Sequence, residues 1–366
     1  MKIAFDAKRF FHNTSGLGNY SRDLVRILSK YYPESQYLLL NKNKSERGSD
    51  ILESSNVTFV ETSKGTMSRQ FKIGKDAQKQ NADIFHGLSG ELPLKWDKKP
   101  IKKIVTIHDL IFVRYPQYYS FFDRKIHLWK FKKAANTADK IIAISEQTKR
   151  DIIQYLKVPE SKIEVIYQGC HKAFKEQQSE ELIQQTKQKF NLPERFILNV
   201  GTIEERKNLF NIVKAIKDTE IPLVVVGKKT KYFQKIKHFI EKNKMEKQIH
   251  FLENVSMDEL AVIYKSADIF VYPSFFEGFG IPVIEALFSK TVTITSNTSC
   301  LPEAGGSDSV YINPENHLDI QSKIKFLWDS ESERKRRSDK GFEFVQKFND
   351  EPIARQLMDL YQKIIS

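Results

Sequence analysis

Residues 275–287 read Phe275-Phe-Glu-Gly-Phe-Gly-Ile-Pro-Val-Ile-Glu-Ala-Leu287. Two aromatics and an acid lead through Gly278 and Gly280 into an apolar run with helical spacing. Pro282 stands where a proline is best tolerated, in the first helical turn. The preceding Ile269-Phe-Val-Tyr272 reads as a short buried strand, closed by a turn at Pro273-Ser274. Glu277 therefore falls in a strand-to-helix loop, and Glu285 one to two turns inside the helix. The backbone N–H groups from Gly278 to Val283, those of Phe279, Gly280 and Ile281 among them, are candidate donors to an anion at a helix N-terminus. Two glycines let a ligand approach that backbone closely. The stretch predicts an anion cradle with a carboxylate at each end.

Upstream, Phe196-Ile-Leu-Asn-Val-Gly201 reads as another strand, followed by the charged turn Thr202–Asn208 and a helix from Leu209. Arg206 and Lys207 in that turn suit two adjoining phosphates, since Arg forks bidentately and Lys acts as a point charge. Residues 221–227, 249–252 and 291–295 supply further strands, with Lys228 closing one of them. The first half repeats the pattern, with strands predicted at 2–6, 36–40, 57–60, 84–86, 104–108, 140–145 and 163–166. Between the first two lies a turn-rich segment with Gly16 and Gly18, then a helix over 20–29. Strands alternating with helices argue for parallel sheets covered on both faces. The fold class is α/β, with two Rossmann-like halves joined by a linker at 168–179. His108 ends the strand 104–107, at the edge where ligands of open α/β sheets sit, and His86 ends a neighbouring strand.

The phrases F-E-G-F-G-x-P-x-x-E-A at 276–286 and G-T-x-E-x-R-K-N at 201–208 resemble retaining glycosyltransferases of family 4, which have the GT-B fold. The resemblance covers essentially the whole chain; Glu205 stands where proline is common in the second phrase. It implies two Rossmann-like domains facing each other across a cleft. Residues 1–172 would bind the acceptor, 173–350 the nucleotide sugar, and the last helix, 351–366, would cross back to the first domain. Glu277 would contact the donor sugar and Glu285 the ribose. The backbone of Gly278, Phe279, Gly280 and Ile281 would hold sugar and diphosphate, with Arg206, Lys207 and Gly201 on the phosphates and Lys228 near the base or ribose. Gly16 and Gly18 would face the diphosphate, and His108 would orient the sugar. Glu303, in S-x-x-x-x-x-P-E, would lie near the nucleotide. GDP-mannose is the favoured donor, with a UDP-sugar as the alternative, and the acceptor is a saccharide or a lipid-linked saccharide in cell-surface glycan synthesis.

Composition narrows the class. At 366 residues the length suits two domains, and 40% hydrophobic with 29% charged is ordinary for a soluble chain. No run of 18 apolar residues is present, and the N-terminus does not read as a secretory signal. Cys170 and Cys300 have no motif spacing, which fits a reduced, cytoplasmic chain. There is no D-x-D and no metal-ligand spacing, so no metal or other cofactor is expected. The net charge is +13, and residues 1–170 carry 30 Lys and Arg against 18 Asp and Glu. That asymmetry predicts an anionic partner for the first half. Read as one helix, 68–79 places Lys72, Lys75 and Lys79 on a face, with Arg69 beside it and Phe71 and Ile73 flanking it. The expected partner is an anionic membrane surface on its cytoplasmic side. No nucleic-acid motif is found, and nucleic acid is not an expected partner. Two rival classes use the same residues: a glycoside hydrolase built on Glu277 and Glu285, and a non-enzymatic protein binding membrane or nucleic acid through its basic half.

Overall fold

The computed structural model describes residues 1–14, 16–65 and 67–366. The chain divides into two compact units, Met1–Gly169 with Asn349–Ser366, and Cys170–Phe348.

The first unit is built on a seven-stranded sheet of β1 (Lys2–Asp6), β2 (Gln36–Asn41), β3 (Val57–Glu61), β4 (Ile84–Gly87), β5 (Lys102–Ile107), β6 (Lys140–Ala143) and β7 (Ile163–Val165). Its order is β3-β2-β1-β4-β5-β6-β7, and every pairing is parallel. The second unit has six parallel strands, β8 (Ile197–Val200), β9 (Leu223–Val226), β10 (Ile249–Leu252), β11 (Ile269–Tyr272), β12 (Val292–Ser296) and β13 (Val310–Ile312), in the order β10-β9-β8-β11-β12-β13. Strands covered on both faces need no polar alternation. Accordingly β4, β8, β9 and β11 are buried along their whole length. The twelve predicted strands are present with ends shifted by a residue or two. The thirteenth, Val-Tyr-Ile, is too short to stand out from its sequence.

A short helix, Lys8–His12, follows β1, and the next runs from Gly16 to Tyr31, four residues earlier than its apolar period suggests. Gly16 and Gly18 thus belong to its first turn rather than to a free loop; Ser15 lies outside the described residues. Asn13 explains the early start, because its Oδ1 accepts the Gly18 N–H at 3.1 Å. A Cβ on Gly18 would lie 2.0 Å from the Asn13 carbonyl oxygen, so only glycine fits there.

Residues 68–79 correct a second expectation. They form two short helices, Ser68–Phe71 and Ile73–Lys79, that meet at Lys72. Ile73 is in the core. Arg69 does not reach outward: its Nε donates to Asp6 Oδ2 at 2.8 Å and its Nη1 to Glu91 Oε2 at 2.7 Å. Lys75 pairs with Asp97, and Lys79 with Asp76. Of the residues meant for a membrane, Ile73 and Arg69 are spent inside the unit and Phe71 is half-buried. Helical periodicity could not reveal this, because it says nothing of which carboxylates lie near.

The terminal helix Asp350–Ile365 belongs to the first unit. It packs on the helix Gly16–Tyr31 and buries Ile353, Ala354, Leu357, Met358, Leu360 and Tyr361. Arg26 pairs with Asp23 and with Asp350 at 2.8 Å. Deeper in, the Tyr361 hydroxyl is 2.8 Å from His86 Nδ1, and His86 Nε2 is 2.8 Å from Thr106 Oγ1, which also meets the Tyr20 hydroxyl at 3.1 Å. Tyr361→Phe would leave His86 Nδ1 buried without that partner. The expected loss is about 1–3 kcal/mol in urea unfolding; an unchanged midpoint would show that this bond contributes nothing.

Candidate functional site

Each sheet reverses its strand order once, between β1 and β4 and between β8 and β11. In open α/β sheets ligands sit beyond the C-terminal strand ends at such a reversal. At the second one, the turn after β8 carries Arg206 and Lys207, and the loop after β11 carries Glu277. The register pairs Ile197 with Ile269 and Leu198 with Phe270, so the two connections leave the sheet side by side. Hydrogen bonds then tie them together. The Phe275 N–H donates to the Arg206 carbonyl at 2.9 Å. Asn208, left-handed at φ +60°, donates from Nδ2 to the carbonyls of Pro273 at 3.0 Å and Pro314 at 2.7 Å.

The Glu277 carboxylate is the centre of the cluster. Its Oε1 receives Lys207 Nζ at 2.6 Å, Arg206 Nη1 at 2.9 Å, the Tyr272 hydroxyl at 2.8 Å and Ser274 Oγ at 2.7 Å. Arg206 also donates to the Phe276 carbonyl at 2.5 Å and to Glu204 at 2.6 Å, and Lys207 bonds to the Tyr272 hydroxyl. Glu277 is 8% exposed. Burial alone would raise its pKa, but Lys207 and Arg206 outweigh it and hold the carboxyl at about 2. The backbone is held as well: the Glu277 N–H donates to Ser299 Oγ at 3.2 Å, while its carbonyl accepts from that hydroxyl at 2.8 Å.

Beyond Glu277 the chain turns through Gly280, at φ +108°, where a Cβ would also lie 2.9 Å from Leu301 Cδ2. The helix Ile281–Phe288 follows. Its first turn shortens the predicted run of donors. Pro282 has no N–H, and the Val283 N–H bonds to the Gly280 carbonyl at 2.9 Å. The cradle therefore ends before Pro282, within Gly278, Phe279, Gly280 and Ile281. The Phe279 ring is buried edge-on to Phe348, so that residue can offer a ligand only its backbone. Glu285 lies inside the helix, buried, with Oε2 accepting the Tyr264 hydroxyl at 3.0 Å. Burial pushes its carboxyl up to about 7, with the Tyr264 bond opposing. Gly201, at φ +147°, lies between β8 and the Arg206 turn. Lys228 is exposed past β9, and Glu303 is half-buried in the helix Leu301–Gly305.

In the first unit His108 lies just past β5. Its Nε2 donates to the Leu88 carbonyl at 2.9 Å, and its ring stands edge-on to Tyr20. Burial lowers its pKa to about 4, so the ring is neutral at pH 7, and the proton on Nε2 leaves Nδ1 as the acceptor. His86 proves to be a core residue. It is fully enclosed, both ring nitrogens are engaged by Tyr361 and Thr106, and burial lowers its pKa to about 3. It does not join a ligand site.

Each unit matches a known family. Residues 15–173 match the model of Glycosyltransferase Family 4, and residues 180–344 that of Glycosyl transferases group 1. The chain belongs to glycosyltransferase family 4. Among its relatives is the Serotype-specific mannosyltransferase WbdA of Escherichia coli, 30% identical over 64% of this chain and 30% of that one. The O-antigen chain mannosyltransferase RfbU of Salmonella typhimurium is 29% identical over 60% of this chain and 59% of that one. The chain thus spans about a third of the length of the first relative. Anabaena HepE, solved in complex with UDP-glucose, superposes with a TM-score of 0.78 at 14% identity, covering 99% of this chain and all of that one. That likeness, like the paired parallel sheets, is the GT-B fold.

Several residues of this family 4 cluster were not anticipated from sequence. Tyr272, Ser274 and Ser299 hold Glu277, Asn208 ties the two loops together, and Tyr264 meets Glu285. Ser274 stands three residues before Glu277 and Asn208 directly after Lys207, so proximity in sequence was a usable signal for both. Nothing local points to Ser299 or Tyr264, which arrive through tertiary packing.

The two acids should give opposite pH dependences. The folded pKa of Glu285 lies above the usual 4.5, so its stabilising contribution is complete below about pH 4.5 and is lost as pH rises towards 7. The folded pKa of Glu277 lies below 4.5, so its contribution is complete above that pH and is lost as pH falls towards 2. Glu285→Gln should therefore gain on the order of 2–3 kcal/mol relative to the parent between pH 4.5 and 7.5. Denaturant unfolding at both pH values reads this directly, and a constant difference between variant and parent would rule out titration of Glu285 in that window.

Proposed function

We propose that this protein is a retaining glycosyltransferase that moves a hexose, mannose in preference, from a nucleoside diphosphate sugar to a saccharide or lipid-linked acceptor in surface polysaccharide synthesis. The second unit takes the nucleotide sugar and the first unit the acceptor. The observation that carries the reading is the gathering of Arg206, Lys207 and Glu277 at the β8/β11 reversal. Two cations suited to a diphosphate flank a carboxylate suited to sugar hydroxyls, and all three are held before any ligand arrives.

In the transfer, a bond forms between the acceptor oxygen and the anomeric carbon, and the bond from that carbon to the diphosphate breaks. The acceptor proton passes to a phosphate oxygen of the leaving nucleoside diphosphate. The chemistry therefore asks chiefly for stabilisation of negative charge growing on the diphosphate. Arg206, Lys207 and the amides of residues 278–281 are the groups that would supply it, with no metal required. Glu285 would hold the ribose, and the neutral His108 ring would orient the sugar. A hydrolase working through paired carboxylates has no use for the two cations gathered at Glu277, which are what a diphosphate would call for. Two relatives named as mannosyltransferases support mannose, and hence GDP-mannose, with a UDP-sugar as the alternative.

Arg206→Ala should slow transfer from GDP-mannose by about 2–4 kcal/mol in kcat/KM. Turnover close to the parent value in a folded variant would remove Arg206 from the chemistry. Glu277→Ala should impair transfer while GDP still binds, whereas Glu285→Ala should weaken GDP itself; calorimetry that gave both variants one profile would contradict the division of roles. Transfer should continue at full rate in EDTA, and NMR of the product should show the donor's anomeric configuration.

A further inference from the structure

The helix Phe121–Thr137 has two apolar faces and uses only one. Ser120 caps it, accepting the Asp123 N–H at 3.2 Å. One face docks on the unit: Ala134 and Ala135 are buried, Leu128 and Phe131 pack against the core, and Phe131 lies edge-on to Phe112 over Gly90. At 3.6 residues per turn, Phe122 lies about 180° from Phe131. Phe122, Ile126, Trp129 and Lys133 recur at the spacing i, i+4, i+7, i+11 and fall within about 60° of arc. Phe122 is 78% exposed, Ile126 53% and Trp129 55%. Phe121, edge-on to Phe122, extends the stripe. Apolar residues on opposite faces cancel in any helix-wide measure of amphipathicity, which hides the outer stripe from sequence reading.

The surroundings are cationic. Residues 121–133 hold Arg124, Lys125, Lys130, Lys132 and Lys133 against one acid, Asp123. Lys130 is committed to Glu91, whereas Lys125, Lys132 and Lys133 are exposed beside the stripe. Charge selects among the surfaces that could cover it. A second copy would bring the same patch against itself in a two-fold interface, setting these cations against their own images. An anionic bilayer complements them, and aromatic rings flanked by lysines are the side chains that settle at the boundary of headgroups and acyl chains. No helix among the described residues is long and apolar enough to cross a membrane, so attachment by this route is peripheral.

We propose that the outer face of the helix Phe121–Thr137 docks on anionic lipid. Phe122, Ile126 and Trp129 enter the boundary layer, and Lys125, Lys132 and Lys133 pair with headgroups. This moves the membrane contact away from residues 68–79, and it stands apart from the identity of the sugar transferred.

The test compares sedimentation of the full chain with vesicles of phosphatidylcholine alone and with vesicles also containing phosphatidylglycerol. Binding should require the anionic lipid and weaken in high salt. At low salt, changing Lys125, Lys132 and Lys133 together to Gln should cost on the order of 100-fold in affinity. Changing Lys72, Lys75 and Lys79 to Gln removes the same charge from outside the apolar stripe and should cost clearly less, about tenfold at most, because those lysines would not be held at the headgroups by inserted aromatic side chains. Phe122→Ser with Ile126→Ser and Trp129→Ser should lose at least about tenfold without a change in melting temperature. In the parent chain, brominated lipid should quench a share of the fluorescence that Trp129→Phe removes. Absence of binding, equal binding to neutral vesicles, equal losses from the two lysine sets, no quenching of Trp129, or self-association abolished by the serine changes would each overturn the proposal.

Discussion

A carboxylate buried between two cations sets the terms for the second unit. Glu277, Arg206 and Lys207 are all largely withdrawn from water, and charges so placed persist only if each is matched and hydrogen-bonded. Around one carboxylate oxygen of Glu277 the matching is dense, with Tyr272 and Ser274 adding neutral donors to the two cations, and Ser299 holds the backbone. The loops after β8 and β11 therefore cannot drift apart without exposing an uncompensated charge. Glu277 and Glu204 together balance the two cations, so what the cluster offers a ligand is fixed donors rather than net charge. An arriving polyanion meets donors already in position, so little reorganisation accompanies its binding.

The sheet decides where this cluster can form. Reversing the strand order at β8 and β11 sends one connection to each face and leaves a crevice between their C-terminal ends. The same reversal occurs at β1 and β4, yet the groups beyond those strands differ in kind. They include a glycine pressed onto the Asn13 carbonyl and an arginine held by Asp6 and Glu91, with a neutral histidine past the next strand, β5. Repeating one architecture did not repeat one chemistry. Within the second unit, the acid deep in the helix is environmentally distinct from the acid in the loop. Glu285 has a tyrosine for company and no cation, and so its proton is held far more tightly.

The fold was largely legible because buried parallel strands write themselves as short apolar runs between turn residues. β13 escaped because three residues make no pattern. In the candidate site, Glu277, Glu285, Arg206 and Lys207 stood out through residue type and position between strand and helix. Their union at one oxygen atom did not, since it depends on the register of β8 against β11. Residues 68–79 mark the limit of periodicity. A helical wheel placed four cations together, but Asp6 and Glu91 captured Arg69 and the core took Ile73, neither of which one segment can announce. His86 was read as a ligand-edge residue from its place at a strand end. Tyr361, 275 residues away, is what made it part of the core.

The bond from Tyr361 to His86 bears on the order in which the molecule is made. Ribosomes deliver the chain from its N-terminus, so β4, with His86, emerges long before the helix that covers it. All of Cys170–Phe348 is synthesised in between. The second unit can reach its final packing while the first still lacks Asn349–Ser366 and exposes the surface that Leu357, Met358 and Tyr361 will later close. The half of the molecule translated first is thus completed last. A nascent chain stalled before residue 349 would present an apolar groove on its older half to any chaperone at the ribosomal exit.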